Sequence, residues 1–335
     1  MTGRHDAVPR VAGGLLAGAV LAGLVTQAMR HRRVVRGRGD ESLFETGRRN
    51  ILAYRLTEPQ DSVPSDTPVL VFESAMVSTA EHWSWVRRSL GQQFPTLIYS
   101  RAGYGRSEFH STEPFTLESA VRDLEELVRH VCGHRPVVLV GHSLGGYLAL
   151  RSAESMRDLI RGLVLIDPSH PGELLRSSAQ AKGAEQVTFG LVLMPQSTRL
   201  GLGGLLPEPS WVRLLPGDQQ DLCNDQYRDE KLWTAAKREW RATHREFLNY
   251  DGNLPEFGVP VRLIAADRTH VTDKTASDLH GEIVAAATQG DMRVIERAKH
   301  DEILLNEELA SQVSRLIHDF MHNLDGRHSA AKEVS

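Results

Sequence analysis

Apolar positions along this chain come in two patterns, and they alternate. Short unbroken runs such as Val69-Leu70-Val71-Phe72 and Val137-Val138-Leu139-Val140 leave no solvent face, which suits strands buried on both sides. Residues 96–100, 163–166, 261–265 and 292–295 read the same way. Between them the spacing turns helical: Ala120, Leu124, Leu127 and Val131 recur at the period of one helix face, which predicts a helix over 117–131. Residues 144–155, 273–287 and 302–322 also read as helices. Two shorter strands, 42–46 and 51–56, precede a turn-rich stretch at 58–68. This alternation predicts an α/β fold, a mostly parallel central sheet with helices on both faces. Residues 171–258 break the rhythm. They lack an obvious buried strand but hold Phe189, Leu191, Val192, Leu193, Met194, Leu200, Leu202, Leu205, Leu206 and Trp211, so they read as a mainly helical insertion between two strands.

Charge divides the chain unevenly. The 335 residues carry a formal charge of −4, with ordinary globular proportions of 41% hydrophobic and 24% charged residues. Residues 1–40 hold seven arginines against two acids, and the acidic excess lies in the rest. Residues 11–29 have no formal charge, and as a helix they would span about 28 Å, near the hydrocarbon thickness of a bilayer. The expectation is a transmembrane helix that anchors the protein in a membrane, with basic residues beyond it near lipid head groups. Arginines outnumber the charges ahead of the segment, which would keep the body cytoplasmic. The alternative is secretion after signal cleavage, since Thr26-Gln27-Ala28 has small-x-small spacing. Gly14, Gly18 and Ala22 would share one helix face, permitting a weak helix-mediated homodimer. The domains expected are 1–40 as anchor and basic segment, 41–325 as the α/β body with its insertion at about 171–258, and 326–335 as a flexible tail. Two cysteines, Cys132 and Cys223, make no disulfide framework, and the near-neutral balance gives no reason to expect nucleic acid.

The sharpest chemical signal is Gly141-His142-Ser143-Leu144-Gly145, directly after an apolar strand and directly before a helix. Flanking glycines leave room for a tight turn that holds a serine hydroxyl out into a site, and the helix N-terminus favours negative charge there. Such a serine needs a base, and the base an orienting carboxylate. Together the sheet pattern and Gly141–Gly146 resemble the α/β-hydrolase fold superfamily, over about residues 42–324. Val71-Phe72-Glu73-Ser74-Ala75-Met76 followed by Trp83 resembles that family's oxyanion turn, and residues 100–107 resemble its glycine-rich turn after the next strand.

The resemblance implies an order of nucleophile, acid, base. It makes Ser143 the nucleophile and His300, in Ala298-Lys299-His300-Asp301 before the last helix, the base. Asp267, ending the strand at 261–265, is the expected acid; Asp273 and Asp167, after the strand at 163–166, are the competitors. Backbone N–H groups of Met76 and Leu144 would form the oxyanion hole, and residues 171–258 would be the cap. The implied function is a serine hydrolase acting on an ester or related acyl substrate, a small and hydrophobic molecule, through an acyl-serine intermediate. No cofactor or metal is called for. The alternatives are an acyltransferase with the same triad, or a non-catalytic binding module on this fold.

Overall fold

The unbroken apolar runs become the middle of an eight-stranded sheet. The computed structural model describes residues 7–254 and 257–333; residues 1–6 of the expected anchor and 334–335 of the expected tail lie outside them. In chain order, α1 (Ala7–Arg36) leads into β1 (Ser42–Glu45), β2 (Ile51–Thr57), β3 (Val69–Glu73), α2 (Ser84–Leu90) and β4 (Thr96–Tyr99). Then follow α3 (Leu117–Cys132), β5 (Val137–His142), α4 (Leu144–Ser155) and β6 (Ile160–Ile166). The insertion supplies α5 (Glu173–Arg176), α6 (Ser178–Arg199), α7 (Gly217–Tyr227) and α8 (Glu230–Leu248). The chain returns through β7 (Pro260–Ala266), α9 (Asp267–Thr272), α10 (Lys274–Ala286), β8 (Gln289–Ile295) and α11 (Glu307–Glu333). The helix expected over 273–287 is α10; a short helix the sequence reading lacks, α9, comes just before it, and Asp273 between the two caps α10 by accepting the Thr275 N–H at 3.1 Å.

Strands lie in the order β1-β2-β4-β3-β5-β6-β7-β8. β1, β2 and β4 pair antiparallel, and every pairing from β4 to β8 is parallel. Alternate side chains feed two cores. Val69, Val71, Leu139 and Leu163 face Leu124, Leu127, Ala149 and Ile283 of α3, α4 and α10. Leu70, Phe72, Val138 and Val164 face Val86, Leu90, Val313 and Ile317 of α2 and α11. Both faces are thus covered, as unbroken apolar strands require.

The membrane expectation is overturned. No helix among the described residues is long and apolar enough to cross a membrane. Helix α1 has the length, but Gly13, Gly14, Gly18, Gly23, Thr26 and Gln27 dilute it, and its last turns carry Arg30, Arg32, Arg33 and Arg36. Those turns dock on the insertion. Arg33 donates to both carboxylate oxygens of Asp225 at 2.6 and 2.9 Å, while Gln27 donates to Asp229 at 3.1 Å and His31 lies 3.1 Å from it. Val34 is buried. The basic residues expected to face lipid include two, Arg30 and Arg33, that pair with Asp225 of α7.

Candidate active site

Strand β5 delivers Ser143 at the point where it turns into α4. Ser143 sits at φ 53°, ψ −124°, a strained conformation for a residue with a side chain. The glycines around it make the turn possible. A Cβ on Gly145 would strike the backbone oxygens of Glu73 and Ser74, and one on Gly146 would come within 2.7 Å of Pro168. Helix α4 can therefore press against β3 and the end of β6, which brings its N-terminus under the serine. Ser143 opens on a cavity of about 410 Å³, lined also by Met76, Leu144, Asp167, His300 and residues of the insertion.

His300 follows β8 and reaches the same cavity, where 40% of its side-chain surface remains open. Its Nδ1–H donates to Asp167 Oδ2 at 2.6 Å. Burial pushes the imidazole pKa down, but the hydrogen bond and charge of Asp167 outweigh that and raise it to about 9. Burial alone would push the Asp167 carboxyl up; the bond to His300 and the surrounding imidazoles instead hold it well below the usual carboxylate range. Asp167 also accepts Ala266 N–H at 3.0 Å and the Thr269 hydroxyl at 2.6 Å. Each oxygen is thus fixed, and the carboxylate fixes the ring.

The carboxylate beside His300 is therefore Asp167, where the sequence favours Asp267. Asp267 opens α9, and its buried Oδ1 has no partner among the described residues. Asp273 lines the cavity, but its carboxylate is spent on Thr275 N–H and the Ser177 hydroxyl. Met76 and Leu144 both border the cavity beside Ser143, and among the described residues neither backbone N–H has an acceptor. For Leu144 this follows from its position, since the first N–H groups of a helix have no intrahelical partner.

Two further residues escape the sequence reading. His142, buried behind Ser143, is held to a pKa of about 3 by burial and by the charge of His300. It is neutral, and its Nε2–H donates to the His300 carbonyl at 3.1 Å, steadying the loop that carries His300. Glu173 borders the cavity from α5; burial raises its carboxyl to about 7 against the backbone N–H it accepts from His170. His142 stands inside the elbow motif and was open to notice there, whereas nothing local marks Glu173. Among the described residues no group of three or more His, Cys, Asp or Glu side chains is arranged to hold a metal ion.

Set beside known proteins, residues 70–313 match the profile of the alpha/beta hydrolase family. A proline iminopeptidase of Saccharolobus solfataricus is 39% identical over 70 residues, 21% of this chain and 23% of that protein. A lipase of Mycobacterium tuberculosis, LipV, is 40% identical over 77 residues, 23% of this chain and 28% of that one. The chain thus spans less than a third of the length of either relative. A thermophilic esterase from Thermogutta terrifontis superposes with a TM-score of 0.61 at 18% identity, covering 85% of this chain and 98% of that structure. At that identity the likeness is one of fold.

Proposed function

Because the chain belongs to the alpha/beta hydrolase family, we propose that it is a serine hydrolase that cleaves an ester or related acyl substrate. Ser143 is the nucleophile, His300 the base and Asp167 the orienting acid. The observation that carries this reading is the 2.6 Å Asp167–His300 pair sharing one cavity with a serine held at φ 53°. With Nδ1 committed to Asp167, Nε2 is the nitrogen left to take the Ser143 proton as Oγ attacks the acyl carbonyl. The carbonyl oxygen becomes an oxyanion that accepts from Met76 and Leu144 N–H. His300 then gives its proton to the departing alcohol and leaves an acyl-Ser143 ester. Water, deprotonated by His300, attacks that ester; the acid departs and the serine is restored.

The cavity suggests a different substrate from the hydrophobic one expected. Of the ten apolar residues of the insertion that prompted that expectation, six, Phe189, Val192, Leu193, Leu200, Leu202 and Leu205, are exposed, and none of the ten lines the cavity. What the insertion gives the cavity is mixed: Gln180 and Thr243 beside Val187 and Trp240. A cavity of about 410 Å³ with such walls suits a compact acyl group that carries hydrogen-bonding atoms. The test is labelling with a fluorophosphonate probe, followed by a panel of chromogenic esters. Labelling of the wild type and none of Ser143→Ala is the expected result; an unlabelled, folded wild type would end the proposal.

A further inference from the structure

Directly behind the oxyanion turn lies a buried charged cluster that the mechanism so far does not use. Arg101, from the loop after β4, is almost wholly buried, as are Glu73 at the end of β3 and Glu239 of the cap helix α8. The guanidinium donates to Glu239 through Nε at 2.6 Å and Nη2 at 2.9 Å, a two-pronged pairing. It also donates to Glu73 and to two backbone carbonyls, those of Ser74 and of Ala75, the latter at 3.0 Å. Tyr104 completes the connection: its hydroxyl donates to Glu239 at 2.7 Å and accepts Val77 N–H at 3.4 Å.

The Ala75 carbonyl belongs to the same planar amide as the Met76 N–H. In a trans peptide the two point in opposite directions. Holding the oxygen on Arg101 therefore turns the Met76 N–H the other way, and Met76 borders the cavity. A cation on the carbonyl also polarises the amide and makes its N–H a stronger donor. The oxyanion turn is Ser74-Ala75-Met76, with Val77 at φ 61°, so it lacks glycine; the Ala75 carbonyl accepts the local Ser78 N–H at 3.3 Å, and Arg101, at the shorter 3.0 Å, braces it from outside the turn.

We propose that Arg101, clamped by Glu239 of the cap, is the positioning residue of the oxyanion hole: it sets the plane and polarity of the Ala75–Met76 amide and so ties cap placement to turnover. This rests on the serine-hydrolase reading above. A residue that only filled space would affect folding stability; a residue that aims a transition-state donor lowers kcat with little change in KM.

The experiment compares wild type with Glu239→Gln, nearly the same shape, and with Arg101→Lys, which keeps the charge but not the fork. Thermal melts establish folding. Steady-state kinetics on a chromogenic ester and inhibition by a trifluoromethyl ketone, whose serine adduct places an oxyanion in the hole, give the readouts. Expected are a loss in kcat of about a hundredfold for Arg101→Lys and about tenfold for Glu239→Gln, with KM nearly unchanged. Affinity for the ketone should fall by the same factors. A folded Glu239→Gln protein with wild-type kcat and wild-type ketone affinity overturns the proposal, whether or not Arg101→Lys folds. Fluorophosphonate labelling of the wild type separates this failure from that of the functional reading: labelled wild type with unaffected variants sinks the positioning role alone.

Discussion

Strands β6 and β7 are parallel neighbours in register, Ile166 beside Ile264, and each hands over to an aspartate. Yet the two carboxylates do unrelated things. After β6 the backbone turns sharply: Asp167 takes φ 41°, and its N–H closes on Ile264 O at 2.8 Å. That kink swings its side chain across the end of β7, where Ala266 N–H, Thr269 and His300 converge on it. After β7 the chain enters a helix without a kink, and Asp267 becomes the first residue of α9. The lesson is that a strand end offers a position, while the next backbone angle decides which way the side chain faces. Helix α9 still matters to the site, because it presents Thr269 to Asp167.

Substitutions that remove one side of this contrast should differ greatly in effect. Asp167→Asn leaves the shape but reverses a hydrogen bond and removes the charge that favours the imidazolium; kcat/KM should fall by about 10³–10⁴-fold. Asp267→Asn in the same assay should change it by less than about threefold; the reverse ranking would restore Asp267 as the acid. The pH profile sharpens the same distinction. His300, raised to about 9, must lose its proton to act as base, so kcat/KM should climb through neutral pH and level off only near 9. A wild-type limb near 6.5 would break the pairing. Stability should move the other way: the His300 contribution is complete below about pH 6.5 and fades as pH rises toward 9. The Asp167 contribution is present above its ordinary range and is lost only in strong acid.

Smaller effects probe the supports. Thr269→Val deletes one of the bonds on Asp167 and should cost about tenfold in kcat with KM nearly intact. Asp273→Ala removes the cap of α10 and should lower stability by about 1 kcal/mol, read as a lower melting temperature. Glu173→Gln should do least: a change in rate near pH 7 that belongs to this carboxyl disappears while the limb near 9 remains.

Much of the fold could be read from the chain because buried parallel strands leave unbroken apolar runs, and those at 69–72 and 137–140 stand in β3 and β5. The elbow was legible for a related reason: Gly141, Ser143 and Gly145 are a local solution to a local steric problem. Residue 167 was visible as an aspartate at a strand end, but so was residue 267, and composition does not record a positive φ. One local sign separates them. Asp167 precedes Pro168, whose ring disfavours helical backbone angles for Asp167 itself, whereas Asp267 is under no such restriction and becomes the first residue of α9. The docking of the N-terminal helix is not legible in its own sequence, because its partners, Asp225 and Asp229, lie about two hundred residues away along the chain. Arg101 escaped for the same reason, since its contacts lie in β3, at Ser74 and Ala75, and in α8.

The contact between Gly145 and the backbone of Glu73 and Ser74 has a consequence for how such a protein could be altered. No side chain fits there, nor at Gly141, where a Cβ would strike the Gly145 oxygen, so residues with no reactive group of their own are among the least replaceable in the elbow. The cap contributes Gln180, Val187, Trp240 and Thr243 to the lining of the cavity. Substitutions that reshape the cavity are therefore best made in the cap, while the turn that holds Ser143 leaves almost no room for change.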